Sequence, residues 1–251
     1  MSKQEVEVLR VLELLCENNH PIGISELSEL MLSAKSVVFN RIQTLVDKGY
    51  VEQDEHTKRY TLTTKLLELT NSSLRGYYER TSIHKYLKII AQQTSQCTYF
   101  GLRNRQNRVV YVDRYTNESA ITVYNIGDSP LPHCTAHGKA LLAFLSLEEI
   151  EAAVKRPLER FTDHTIAEGE KLMEELRLVR QSGVAYDYEE SVPGVRCVAA
   201  PVFNSYRQVI GSIGISGMAT VLTAEILESH AKVVKDVAEK VSISIGNDIA
   251  F

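Results

Sequence analysis

The chain has 251 residues, of which 44% are hydrophobic and 24% charged, with a formal net charge of −4. That balance belongs to a folded chain with a buried core and excludes a disordered one, and the length suits two domains of ordinary size. A net negative charge also excludes nucleic-acid binding by bulk electrostatics, so any contact with phosphates has to be local.

The first predicted helix runs from Gln4 to Glu17, with Val8, Val11, Leu12 and Leu15 on one apolar stripe, and Asn18-Asn19-His20-Pro21 ends it. Ser25 stands where a helix N-cap is expected, and Leu27, Leu30 and Met31 give a short second helix its apolar face. After a tight Leu32-Ser33 turn, Ala34, Val38, Ile42, Leu45 and Val46 form the inward stripe of a third helix, which Gly49 stops. Two amphipathic helices joined by so short a turn predict a helix-turn-helix, whose second helix fits the major groove of DNA. Strand-like Tyr50–Gln53, a polar turn at Asp54–Lys58 and a returning strand at Arg59–Leu62 add the hairpin of a wing. Lys65–Tyr78, rich in leucine and free of proline, predicts a linker helix, so the expected division is 1–63 winged helix-turn-helix, 64–78 linker and 79–251 a second domain.

In the second part a helix is predicted at Ile83–Thr94, then strands at Cys97–Arg103 and Val109–Tyr115 around the turn Asn104–Asn107, with Ala120–Tyr124 as a third strand. Helices follow at Lys139–Leu145, Leu147–Val154 and Glu168–Gln181, then a hairpin of Cys197–Phe203 with Gln208–Ser216 and a closing helix at Thr223–Asn247. Helices segregated against an antiparallel sheet make an α+β domain large enough to hold a small ligand. No apolar run approaches the roughly 18 residues of a membrane-spanning helix, and the opening MSKQEVEVLR carries acids where a secretory leader has an apolar stretch, so a cytoplasmic protein without membrane contact is expected. Cys16, Cys97, Cys134 and Cys197 are far apart and form no C-x-x-C pair, so reduced thiols are expected.

Residues 1–75 carry 9 basic and 11 acidic side chains, yet Ser33 to Val46 contains no acid. Opposite the apolar stripe of the third helix stand Ser36, Asn40, Gln43 and Asp47, flanked by Val37, Phe39, Arg41 and Thr44. Asn and Gln match adenine edges and Arg matches guanine, while Ser33, Lys35 and Ser36 suit phosphate at the helix start. In the wing, Thr57, Lys58 and Arg59 suit phosphate or the minor groove. For each of these side chains a solvated polar face is the alternative.

Three stretches then resemble the IclR family of transcriptional regulators: AKSVVFNRIQTLVDKGYVEQD followed by TKRYTLT, PLPHCTAHGKALLAFL, and SGVAYDYEESVPGVRCVAAPVF. The resemblance implies a GAF-like effector-binding domain, homodimeric or homotetrameric assembly, a pseudo-palindromic double-stranded DNA operator, and control of carbon-source genes by a small-molecule carboxylate. It implies no cofactor or metal and no enzymatic activity. Two departures stand out: Val37 and Asn40 occupy positions where the family often has Thr and Arg, and Lys58 replaces the glycine of the wing. For the effector, the resemblance points to Ala136 and His137 at a helix start, Asp187, Cys197 and Ser216, with Ser212 as a further candidate. Tyr99, Tyr111 and Tyr124 are candidate walls or plain packing. Two competing readings remain: a GAF-like redox or metabolite enzyme using Cys134 or Cys197 with His133, His137 and Asp187, and a zinc site from His133, Cys134 and His137.

Overall fold

The computed structural model describes residues 3–18, 20–70, 83–117 and 120–248. The chain divides into two compact units, Met1–Gly76 and Tyr77–Phe251. Asn19 and residues 71–78 of the expected linker helix lie outside the described residues; residues 65–70 are helical and are labelled α4.

In the first unit α1 (Lys3–Glu17), α2 (Ile24–Leu30) and α3 (Lys35–Asp47) are followed by β1 (Val51–Gln53) and β2 (Tyr60–Leu62), which pair antiparallel. Their apolar stripes converge in a core of Val11, Leu14, Leu15, Ile22, Leu27, Val38, Ile42, Leu45, Val51 and Tyr60. Gly49, at φ +75°, ends α3 in a left-handed turn in which the Gly49 and Tyr50 N–H groups reach the Val46 and Leu45 carbonyls. One expectation is corrected: the N-cap of α2 is Gly23 and not Ser25. Ile22 exchanges both backbone hydrogen bonds with Tyr60, so the extended chain continues to Gly23 and turns helical there, with Leu27 N–H on the Gly23 carbonyl.

The second unit is built on a five-stranded, fully antiparallel sheet in the order β4-β3-β7-β6-β5: β3 (Cys97–Arg103), β4 (Val109–Tyr115), β5 (Ala185–Tyr188), β6 (Val195–Phe203) and β7 (Val209–Met218). On one face lie α6 (Ala136–Leu142), α7 (Leu147–Val154) and α8 (Gly169–Ser182), closing a core with Tyr99, Tyr111, Cys197 and Ala199. The other face carries α5 (Ile83–Thr94) and α9 (Ala224–Asp248). Among the described residues no helix is long and apolar enough to cross a membrane.

Three sequence expectations change here. Ala120–Tyr124 is not a strand: Tyr99 Oη accepts the N–H groups of Val123 (3.0 Å) and Tyr124 (3.3 Å), so this backbone is satisfied by a side chain and not by a ladder. Ala185–Tyr188 is an edge strand that the sequence reading left out. Finally, α6 begins at Ala136 and not Lys139. Thr135 caps it by accepting the Gly138 N–H at 3.1 Å, and a Cβ on Gly138 would fall 2.3 Å from the Pro132 backbone, so only glycine lets this helix start against the preceding 3-10 turn (Pro132–Cys134).

Candidate functional sites

On α3 the side chains of Lys35, Ser36, Phe39, Asn40 and Thr44 are exposed, while Val37, Arg41 and Gln43 are half-buried. Ser33 is fixed in the turn before α3, where its carbonyl accepts the Ser28 hydroxyl at 2.6 Å. Thr44 Oγ1 donates to the Asn40 carbonyl, and Gln43 Nε2 to Asp47 at 3.0 Å.

The two arginines point elsewhere. Arg41 Nε donates to Glu7 on α1 at 3.0 Å, with the two side chains only 15% and 19% exposed. In the wing, Arg59 Nη1 donates to the Pro21 carbonyl at 2.6 Å and approaches Glu26 at 3.4 Å. The turn itself is organised by Asp54, whose Oδ1 accepts the N–H groups of His56 and Thr57 and the Thr57 hydroxyl, an arrangement that holds its carboxyl below the usual carboxylate range. Lys58 sits at φ +56°, where a β-carbon is strained and glycine is not.

In the second unit the sheet register aligns Cys97 with Ser216, Ser216 with Cys197, and Cys197 with Asp187, one residue from each of four adjacent strands. Cys197 Sγ lies 3.1 Å from Ser216 Oγ. His137, on the first turn of α6, shares a 2.9 Å hydrogen bond through Nδ1 with Ser212 Oγ, and its buried Nε2 has no hydrogen-bond partner. The imidazole stands edge-on to Tyr111, ring centres 5.1 Å apart; Tyr111 also packs on Tyr99 and stacks on Tyr124, and the Tyr124 hydroxyl meets Ser191 at 2.8 Å. Ala136, His137, Asp187, Cys197, Ser212 and Ser216 thus gather in one interior, each nearly or fully buried. Ser191 was not foreseen, although it directly follows the DYEE stretch.

Burial sets the protonation states. It pushes His137 down to about 3, so the imidazole is neutral at physiological pH, and it pushes Asp187 up to about 7 against the Glu190 N–H bond, which lowers it, while the Glu190 carboxylate raises it. Beneath this interior, Lys139 is itself buried and holds Glu190 at 2.5 Å and Glu175 at 3.1 Å. Burial opposes its charge, but the two carboxylates outweigh that and keep its pKa above the ordinary lysine value. The Glu190 N–H in turn donates to Asp187 at 2.8 Å, so the ion pair and the interior share one loop.

The cysteine arrangement expected of an enzyme is not assembled. Burial pushes Cys134 up to about 12 and Cys197 well above the ordinary thiol range, which disfavours a thiolate nucleophile. His133 Nε2 donates to the Glu159 carbonyl and His137 faces Ser212, so neither imidazole is bonded to a thiol. Among the described residues no three metal-ligating side chains converge.

Comparison with known proteins follows the same two-part division. The model for the IclR helix-turn-helix domain matches residues 8–55, and that for the bacterial transcriptional regulator IclR C-terminal matches residues 76–243. The HTH-type transcriptional regulator KdgR of Escherichia coli is 30% identical over 243 residues, covering 96% of this chain and 92% of KdgR. Among solved structures, an IclR transcriptional regulator from Alicyclobacillus acidocaldarius superposes with a TM-score of 0.84 at 25% identity, covering 98% of this chain and 100% of that one. An IclR homologue from Microbacterium hydrocarbonoxydans, solved with 4-hydroxybenzoate, has the same fold (TM-score 0.80, 18% identity, 98% and 100% covered). With a helix-turn-helix unit followed by an α+β unit, and both halves matched by the family's own models, the chain belongs to the IclR family of DNA-binding transcriptional regulators.

Proposed function

We propose that this regulator represses catabolic genes, reading a pseudo-palindromic operator as a homodimer or homotetramer, and that a small organic or sugar acid bound in the His137 interior lowers its affinity for DNA. The observation that carries the proposal is the buried, neutral His137 with an unpaired Nε2, facing Tyr111 within a polar interior. An orphan buried nitrogen costs stability unless something supplies a partner. Thr135 takes the Gly138 N–H, which leaves the Ala136 and His137 N–H groups at the start of α6 as donors for a carboxylate. Asp187, about half protonated near neutral pH, Cys197, Ser212 and Ser216 supply hydrogen bonds to hydroxyl groups. That a neighbour of the same fold carries an aromatic carboxylate is consistent with this chemistry.

The DNA interface comprises Lys35, Ser36, Val37, Phe39, Asn40, Gln43 and Thr44 on the groove side of α3, with Ser33, Thr57 and Lys58 toward phosphate. Arg41 and Arg59 are assigned to the same surface, but through positions tied to Glu7 and Glu26. Acid binding that favours one conformational state shifts operator affinity by the difference in binding free energy, typically about 1–3 kcal/mol in coupled systems. The test is electrophoretic retention of the protein's own promoter fragment, with sugar acids, aromatic acids and short keto acids titrated in. Retention that one acid class releases in wild type, but not in His137→Ala, supports the proposal. Release that persists in His137→Ala, or no response to any of the three classes, refutes the effector assignment.

A further inference from the structure

The commonest sequence-specific contact in a major groove is an arginine or lysine on guanine. On this small unit that contact is poorly provided. Arg41 is drawn back to Glu7 with both side chains mostly buried, and Arg59 is bonded to the Pro21 carbonyl beside Glu26. Lys35 opens α3 and Lys48 follows its end, positions that suit phosphates on either side of a groove.

Between them the exposed face of α3 offers Ser36, Phe39, Asn40 and Thr44. Phe39 places a ring, 46% exposed, in the middle of this polar face, on a helix whose inward stripe is Val38, Ile42 and Leu45. At that exposure one part of the residue is covered by the small unit and the other faces water. In the major groove the apolar group that such a ring can cover is the 5-methyl of thymine, and the amide of Asn40, one residue on, matches the two edge atoms of adenine.

We propose that Phe39 reads a thymine methyl in each operator half-site and that Asn40 reads a neighbouring adenine, so that α3 specifies A·T pairs. This rests on the reading of α3 as the groove-entering helix. The Phe39 contact alone discriminates thymine from uracil, because the two bases differ only in that methyl group.

The full-length protein is used to enrich sequences from a random duplex pool, in parallel with Phe39→Ala and Asn40→Ala variants whose thermal melting is checked against wild type. Thymines of the enriched half-site are then replaced one at a time by deoxyuridine. The expected result is an A·T-rich half-site with one thymine whose replacement weakens wild-type binding about four-fold, the value of one buried methyl, while Phe39→Ala binds both probes alike. Asn40→Ala is expected to lose its preference at the adjacent adenine and to keep the uracil effect. A guanine-dominated half-site, no uracil effect in wild type, or a uracil effect that survives in Phe39→Ala overturns the proposal while leaving α3 as the DNA-binding helix. Enrichment of no sequence at all overturns the underlying reading of α3 instead.

Discussion

Replacing Lys139 by Met keeps the apolar stem and removes the charge that Glu190 and Glu175 share. Glu175 is 27% exposed and can turn to water, but Glu190 is 6% exposed and would be left as an unpaired buried carboxylate. Its least costly escape is to take up a proton, and burial already pushes its pKa up. Protonating a carboxyl whose unfolded pKa is about 4.3 costs about 1.4 kcal/mol per pH unit above that value, hence about 4 kcal/mol at pH 7 and about 1 kcal/mol at pH 5. For a domain of this size, 4 kcal/mol lowers Tm by roughly 8–16 °C. Thermal melting of the full chain at both pH values measures the difference, and the double variant Lys139→Met/Glu190→Gln is expected to recover most of the loss at pH 7. A destabilisation that is equal at pH 5 and pH 7, or that Glu190→Gln leaves untouched, would refute the argument that an isolated Glu190 charge is what the lysine neutralises.

Other consequences are open to simple measurements. Gly138→Ala drives a Cβ into the Pro132 backbone, and overpacking of this kind is expected to lower stability by about 1–3 kcal/mol in urea titration. Asp187 has a folded pKa of about 7, raised above its unfolded value, so it favours folding at acid pH and that contribution is lost as pH rises from about 4 to 7. Asp187→Asn should therefore flatten stability against pH in that window by up to about 4 kcal/mol, and an unchanged slope would remove Asp187 as its source. Lys58→Gly relieves a positive φ and is expected to stabilise the small unit by up to about 1 kcal/mol, while reducing the salt slope of DNA binding by about one if Lys58 contacts phosphate.

Much of the small unit could be read from sequence because its signals are local. Val38, Ile42 and Leu45 recur at helical spacing, and Gly49 marks the stop by the left-handed turn it alone adopts without strain. What escaped was set by distant partners. Nothing near Arg41 or Arg59 in the chain announces Glu7 or Glu26, each more than thirty positions away, so the ion pairs of these two candidate DNA contacts are not legible locally. Ala120–Tyr124 has the composition of a strand, but the Tyr99 hydroxyl settles its backbone. The residue pattern alone starts α6 at Lys139, while the family resemblance points to Ala136, where Thr135 caps the helix and Ala136 to Leu142 are all buried. The six residues drawn from the family resemblance do meet in one interior; the Lys139–Glu190 support beneath them depends on a pairing 51 residues apart, which no local pattern encodes.

The segment over Tyr99 differs in kind from the strands beside it. Two of its amides hang on a single phenol oxygen, and Tyr124 adds a ring stack on Tyr111, a hydroxyl contact with Ser191 and a carbonyl that accepts from Arg114, so lifting this stretch breaks only these side-chain contacts and leaves the five-stranded ladder whole. At a net value of about 1 kcal/mol per hydrogen bond and about 1 kcal/mol for the ring stack, that is less than global unfolding requires. Amide protons of Val123 and Tyr124 should accordingly exchange by local opening, well ahead of those in β3 and β7.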